Sequence, residues 1–88
     1  MMNHIATFFS HFGAVRFQKQ CEAKGWQAQV RPVPRNLSSS CGTCVYFAAQ
    51  ELMLNAEAIQ GMLTPELEQI VAIAADNSYV SLYMAPEE

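Results

Sequence analysis

The chain is poor in charge. Only 15% of its 88 residues are Asp, Glu, Lys or Arg, and no basic residue follows Arg35. Beside an apolar share of 51%, so little charge excludes a disordered polyelectrolyte and leaves an ordinary compact chain. Long apolar runs are also missing. The densest, Ile70-Val71-Ala72-Ile73-Ala74-Ala75, falls far short of the roughly 20 residues that span a bilayer. The start, Met1-Met2-Asn3-His4, has neither the basic segment nor the apolar stretch of a secretory signal. A full-length cytoplasmic protein without membrane attachment is expected. Histidine is scarce, with only His4 and His11, which flank the first strand and read as surface or capping residues. No second C-x-x-C and no H-x3-H accompanies Cys41-Gly42-Thr43-Cys44, so the spacing of four zinc ligands is not met and no metal is expected. A glycine-rich phosphate loop, H-E-x-x-H and G-x-S-x-G are all lacking, and no cofactor is implied.

What charge there is lies unevenly. The net charge of −3 speaks against a nucleic-acid partner. Arg16, Lys19, Lys24, Arg31 and Arg35 give residues 1–44 a net +4, whereas residues 45–88 carry −7. Such a split ordinarily marks two solvated faces of opposite sign. Its functional reading is a basic surface near the cysteines that attracts an anion or an acidic partner. Three cysteines, an odd number in a short chain, do not make a disulfide scaffold. They suit free thiols, a transient disulfide or a metal site.

The length gives one domain, 1–88, with a small core. Alternation about Ile5, Thr7 and Phe9 predicts a first strand. Ser10 then caps a helix from His11 to about Lys24, with Ala14, Phe17 and Cys21 inward and Gly25 just past its end. Cys21 reads as a small core residue. Trp26, Ala28 and Val30 predict a half-buried strand that Pro32 and Pro34 stop. Thr43–Ala48 predicts a third strand, with Val45 and Phe47 facing one way and Cys44 and Tyr46 the other. Leu52, Ala56, Ile59 and Leu63 are spaced for a short helix near 49–61. Thr64-Pro65 reads as a cap and first helical residue, followed by a buried stripe of Leu67, Ile70, Val71 and Ala74. Asp76-Asn77-Ser78 is a turn, and Val80, Leu82 and Met84 alternate as a last strand. The expected architecture is α+β: a ferredoxin-like β-α-β-β-α(α)-β two-layer sandwich, its antiparallel or mixed sheet covered by helices on one face.

The chemistry concentrates in Val33-Pro34-Arg35-Asn36-Leu37-Ser38-Ser39-Ser40-Cys41-Gly42-Thr43-Cys44. A thiol acts as its thiolate, so a modest electrostatic push on a cysteine changes its reactivity greatly. Arg35 offers a positive neighbour, and Ser38, Ser39 and Ser40 offer hydroxyl and backbone donors to a sulfur. Gly42 permits a positive φ, and the prolines restrict the loop. The spacing Cys41-x-x-Cys44 allows a redox pair in which Cys41 attacks and Cys44 resolves. Cys44 leads straight into a strand, however, and the sulfurs meet only if Gly42 turns the chain. A dithiol pair, a single reactive thiol, half a metal site and a purely structural turn all fit the pattern.

The stretch Arg31-Pro32-Val33-Pro34-Arg35, then Leu37-Ser38-Ser39-Ser40-Cys41-Gly42, then the strand with Phe47, resembles the small bacterial domains described as selenium/sulfur carrier-like. The shared pattern, P-x-P-R-x-[LI]-S-S-x-C-G, fixes many residue types at fixed spacing. Phe8, Ala14 and Gly25-Trp26 fit the layout of the same domains, and the resemblance covers residues 4–48. Residues 49–88, with the C-terminal helix and strand over 49–84, fit less well, and the stretch to Thr64 looks like an extension. The resemblance implies that Cys41 is a carrier thiol that receives sulfur or selenium as a persulfide or selenosulfide. It implies a non-enzymatic carrier or accessory protein that meets donor and acceptor proteins. Arg35, Ser39, Ser40 and Gly42 would shape the loop, and Cys44 is optional, a resolving thiol at most. The alternatives are a thiol-disulfide module using Cys41 and Cys44, or a protein-interaction domain without thiol chemistry.

Overall fold

A computed structural model describes residues 2–50, 52 and 55–86. Their elements run β1 (His4–Phe8), α1 (His11–Ala23), β2 (Ala28–Pro32), β3 (Thr43–Phe47), α2 (Ala56–Gln60), β4 (Leu67–Ile73) and β5 (Tyr79–Met84). The five strands form one sheet in the order β2-β3-β1-β4-β5, and every neighbouring pair is antiparallel. β1 and β2 each run antiparallel to β3, which lies between them, so α1 makes a split β-α-β crossover.

The sheet pairing sorts the side chains into two faces, because residues opposite one another share a face. Val30, Val45, Ala6, Ile70 and Tyr83 form one row of the first face. Here α1 contributes Ala14, Phe17 and Cys21, and α2 contributes Ile59, to a single cluster with Phe8, Phe47 and Leu67. Phe47 is its centre. Its ring lies 5.3 Å from His4, 5.1 Å edge-on from Phe17 and 6.2 Å from Trp26. Gly13 lets α1 close onto the turn before β4, since a Cβ there would stand 2.5 Å from Glu66 Cβ. The second face carries the row Arg31, Cys44, Thr7, Gln69 and Met84, and beside it Ile5, Tyr46 and Val71. No helix among the described residues covers it. Val33 and Leu37 of the β2–β3 loop pack there instead.

The expected helix at 64–75 is a strand, so the order ends β-β rather than α-β. Thr64 O accepts from Leu67 N at 3.1 Å, which makes Thr64-Pro65-Glu66-Leu67 a turn that launches β4. β4 lies between β1 and β5 with its middle covered on both faces, so its buried run carries no alternation to separate it from a buried helix. Of the helix expected near 49–61, residues 51, 53 and 54 lie outside the described residues, and the helix described is Ala56–Gln60. Asn55 caps it with its side chain on Glu57 N at 2.9 Å. β2 stops at Pro32 as expected, with the proline as its last residue, opposite Thr43. That is tolerated because β2 is an edge strand with no further neighbour to receive an N–H. Ser10 caps α1 through Gly13 N, and Asp76 holds the β4–β5 turn through Ser78 N and Oγ, both as expected.

Candidate functional site

The cysteine loop is a compact excursion with a closed neck. Val33 N donates to Gly42 O at 3.0 Å, so the chain leaves β2 and re-enters β3 at nearly the same point. Pro34-Arg35-Asn36-Leu37 is a turn closed by Leu37 N on Pro34 O at 3.1 Å, and Arg35 stands exposed on it. From there the loop crosses the second face of the sheet. Leu37 and Val33 bury Ile5, Cys44 and Val71 beneath it.

Polar ties fasten it on the far side. Tyr79 OH donates to Asn36 Oδ1 at 3.0 Å, and Gln69 Nε2 donates to Ser38 O at 2.7 Å. Ser40 gives both its donors to Glu68, the backbone N–H at 3.1 Å and the hydroxyl at 2.8 Å, and Thr7 Oγ1 joins them at 3.1 Å. Glu68 reaches the loop through a β-bulge. Thr7 pairs with Gln69 and Phe8 with Leu67, which leaves Glu68 as the extra residue between them. The bulge breaks the strand's alternation, so consecutive residues Glu68 and Gln69 both address the loop. Neither residue reads as a loop contact in the sequence, because the segment reads as a helix there, with Glu68 as an acidic residue of its first turn. The signal lay in Ile70, Val71 and Ile73, whose β-branching favours a strand in a short apolar run.

The expected serine donors to a sulfur are thus redirected. A carboxylate outcompetes a thiol as an acceptor, and Ser40 goes to Glu68. Ser39 Oγ is buried without a partner among the described residues. Gly42 does turn the chain, with φ +76°. A Cβ there would meet nothing within 4 Å, so only the backbone conformation calls for glycine.

All three cysteines are free thiols, in unlike surroundings. Cys21 lies inside the helix-covered core, and burial pushes its thiol up to about 12. Cys44 lies under the loop and donates to Pro32 O at 3.7 Å. Burial pushes it up to about 11 against a smaller downward pull from Arg31. Cys41 alone is partly exposed. Its Sγ donates to Thr43 O at 3.5 Å, and its side chain packs against the helix-side cluster. The turn at Gly42 therefore sends the two sulfurs of the C-x-x-C to different clusters and different carbonyls. His11, at the start of α1, reaches the same corner, with Nδ1 3.5 Å from Thr43 Oγ1. His4, expected at the surface, is fully buried and stacked on Phe47. As the first residue of β1 it falls on the helix-covered face.

A groove of about 780 Å³ runs beside the loop, between Leu37-Ser38 and Phe9, Glu68 and Met84; Cys41 does not line it. Among the described residues no three His, Cys, Asp or Glu side chains group to hold a metal ion, and no helix is long and apolar enough to cross a membrane.

Residues 3–63 match the model of the family described as "Putative Se/S carrier protein-like", and the chain belongs to that family. The match takes in β1 to α2 and with them the whole cysteine loop, and it ends before β4 and β5. No curated protein and no solved structure matches the chain.

Proposed function

We propose that this member of the Se/S carrier-like family accepts a sulfur or selenium atom on Cys41 and hands it to a second protein. One observation carries the reading. Of three free thiols, two are buried and held protonated far above neutral pH, while Cys41 sits partly exposed at the mouth of a shaped loop. The Cys41 thiolate attacks the terminal sulfur of a donor persulfide, R–S–SH. A sulfur–sulfur bond forms at Cys41, the donor's own sulfur–sulfur bond breaks, and the donor leaves as R–S⁻. Attack by an acceptor thiolate on the carried atom reverses the step and restores Cys41. No oxidant or reductant is consumed, and a selenosulfide follows the same course.

Such a carrier needs an accessible sulfur and a docking rim rather than an enclosed pocket, which suits an open loop. Gly42 and Ser40 support the loop's shape. Arg35, exposed at the turn, supplies positive charge for the approach of an anionic donor group. Ser39, with its hydroxyl unspent, is the nearest loop side chain in sequence with a free donor for the carried atom. Cys44 is not required on this reading: its sulfur is buried in the cluster under the loop and bonds Pro32 O, whereas Cys41 packs against the other cluster. The split β-α-β with β4 beside β1 supports a ferredoxin-like core, to which β5 adds an edge, within one domain of residues 1–88. Free thiols suit a reducing, cytoplasmic setting.

Intact mass after incubation with a cysteine desulfurase and cysteine tests the reading. Wild type is expected to gain one sulfur, Cys44→Ser to gain it equally, and Cys41→Ser to gain none. An unmodified wild type, or an undiminished adduct on Cys41→Ser, overturns it.

A further inference from the structure

We propose that Glu68, the extra residue of the β4 bulge, is the positioning residue of the thiol loop: it clamps Ser40, and its loss lets the loop lift from the sheet and uncovers Cys44. The inference deepens the carrier reading and rests on it for its functional meaning. Its geometry is independent of that reading.

Ser40 precedes Cys41 directly. Two of the contacts to Glu68 come from this one residue, one from its backbone and one from its side chain, and together they fix both the position and the direction of the peptide entering Cys41. Thr7, rooted in β1 next to Cys44, holds the same carboxylate from below. The clamp therefore ties the loop to two strands at once. Elsewhere the loop is held by Tyr79 on Asn36, by Gln69 on Ser38 and by the apolar seat of Leu37 and Val33. Hydrogen bonds to a charged group are the stronger kind, so the carboxylate is the tie whose loss is felt most. Glu68 also lies outside residues 3–63, so this chain's C-terminal hairpin supplies the clamp to a loop carried by the matched segment.

The three cysteines report on the clamp by their positions. Cys41 is in the loop, Cys44 beneath it, and Cys21 on the buried side of α1, over the opposite face of the sheet. Native-state labelling with iodoacetamide, which is neutral and so indifferent to the charge at position 68, is read per cysteine by peptide mass. Wild type is expected to label at Cys41, with Cys44 and Cys21 protected. In Glu68→Ala, Cys44 is expected to label about tenfold faster or more, the size set by losing charge-assisted bonds that hold the loop closed, with Cys21 unchanged. Glu68→Gln keeps an amide oxygen for Ser40 N and Thr7 without the charge and is expected to restore part of the protection. Ser40→Ala removes one bond from the loop side and should give a smaller rise, and it answers the question if Glu68→Ala does not fold. Wild-type labelling of Cys44 in the variants, or a parallel rise at Cys21 that marks general loosening, overturns the proposal. The labelling needs no sulfur donor. A wild type that takes up no sulfur leaves the clamp standing, and a wild type that takes it up does not rescue the clamp if Cys44 stays protected.

Discussion

The two faces of the sheet are closed by different means. On one, α1 and α2 seal an aromatic core around Phe47 by side-chain packing. On the other, a proline- and serine-bearing loop closes a smaller cluster of Ile5, Cys44 and Val71, and hydrogen bonds to β4 and β5 hold it down. Packing of interdigitated rings is cooperative and hard to undo in part. A loop held by separate polar ties opens at a lower free energy than the core unfolds. Cys41 stands at the seam, with its side chain against the packed cluster and its backbone belonging to the loop. A thiol placed there has a rigid floor and an adaptable rim, which would suit the carrier role proposed for it.

The sharpest way to break this contrast is to truncate a side chain on each face. Phe47→Ala removes a ring that touches three others and should cost about 3–5 kcal/mol in chemical denaturation. Leu37→Ala takes a partly exposed side chain from the loop's seat and should cost less, about 2 kcal/mol at most, while raising Cys44 alkylation far more than Phe47→Ala does per kcal/mol lost. Equal costs, or equal labelling per unit of stability, would show that the two faces are one cooperative unit.

That contrast was only half legible in the sequence. Alternation and caps placed β1, α1, β2, β3 and β5 to within a few residues, because Ser10, Gly25 and the Asp76-Asn77-Ser78 turn punctuate them by local chemistry. The cysteine loop stood out for the same reason: its prolines, serines and glycine are local signals. What it rests on is not local. Glu68 and Gln69 lie 28 and 31 residues from the loop residues they hold, and Tyr79 lies 43 from Asn36. Reading 64–75 as a helix hid Glu68 and Gln69, since a helix there has no bulge and no row opposite Thr7. The burial of His4 was missed because a histidine at a strand's start says nothing of its face until the register is known.

A smaller effect separates backbone from packing on the loop face. Gly42 holds φ +76° with open space where a Cβ would go, so Gly42→Ala should cost only the left-handed backbone term, about 1–2 kcal/mol. Because the loop's neck is the Val33–Gly42 bond, the substitution should also change the Cys41 labelling rate while leaving Cys21 protected. A neutral effect on both stability and labelling would mean that the neck relaxes freely and that glycine is not what shapes it.

The smallest expected effect probes the packed face by pH. His4 is buried against Phe47, and burial lowers its pKa from the ordinary 6.5. Asn3 Oδ1 accepts from Nδ1 at 2.8 Å, so the proton sits there and the bare Nε2 has no partner. Protonation would put a charge and an unpaired N–H into the aromatic core. The sign follows from proton binding: below 6.5 the unfolded chain takes up a proton that the folded chain refuses, so stability falls with falling pH. The loss begins near 6.5 and levels off once pH passes below the lowered folded value. Above 6.5 the imidazole is neutral in both states and contributes no slope. His4→Phe keeps a ring on Phe47 and removes the titration. Urea midpoints measured from neutral pH down to about 5 should therefore fall less steeply in the variant than in wild type. Parallel curves would mean that the packed face admits a charge at its edge, and the distinction between a sealed face and a yielding one would then rest on the loop alone.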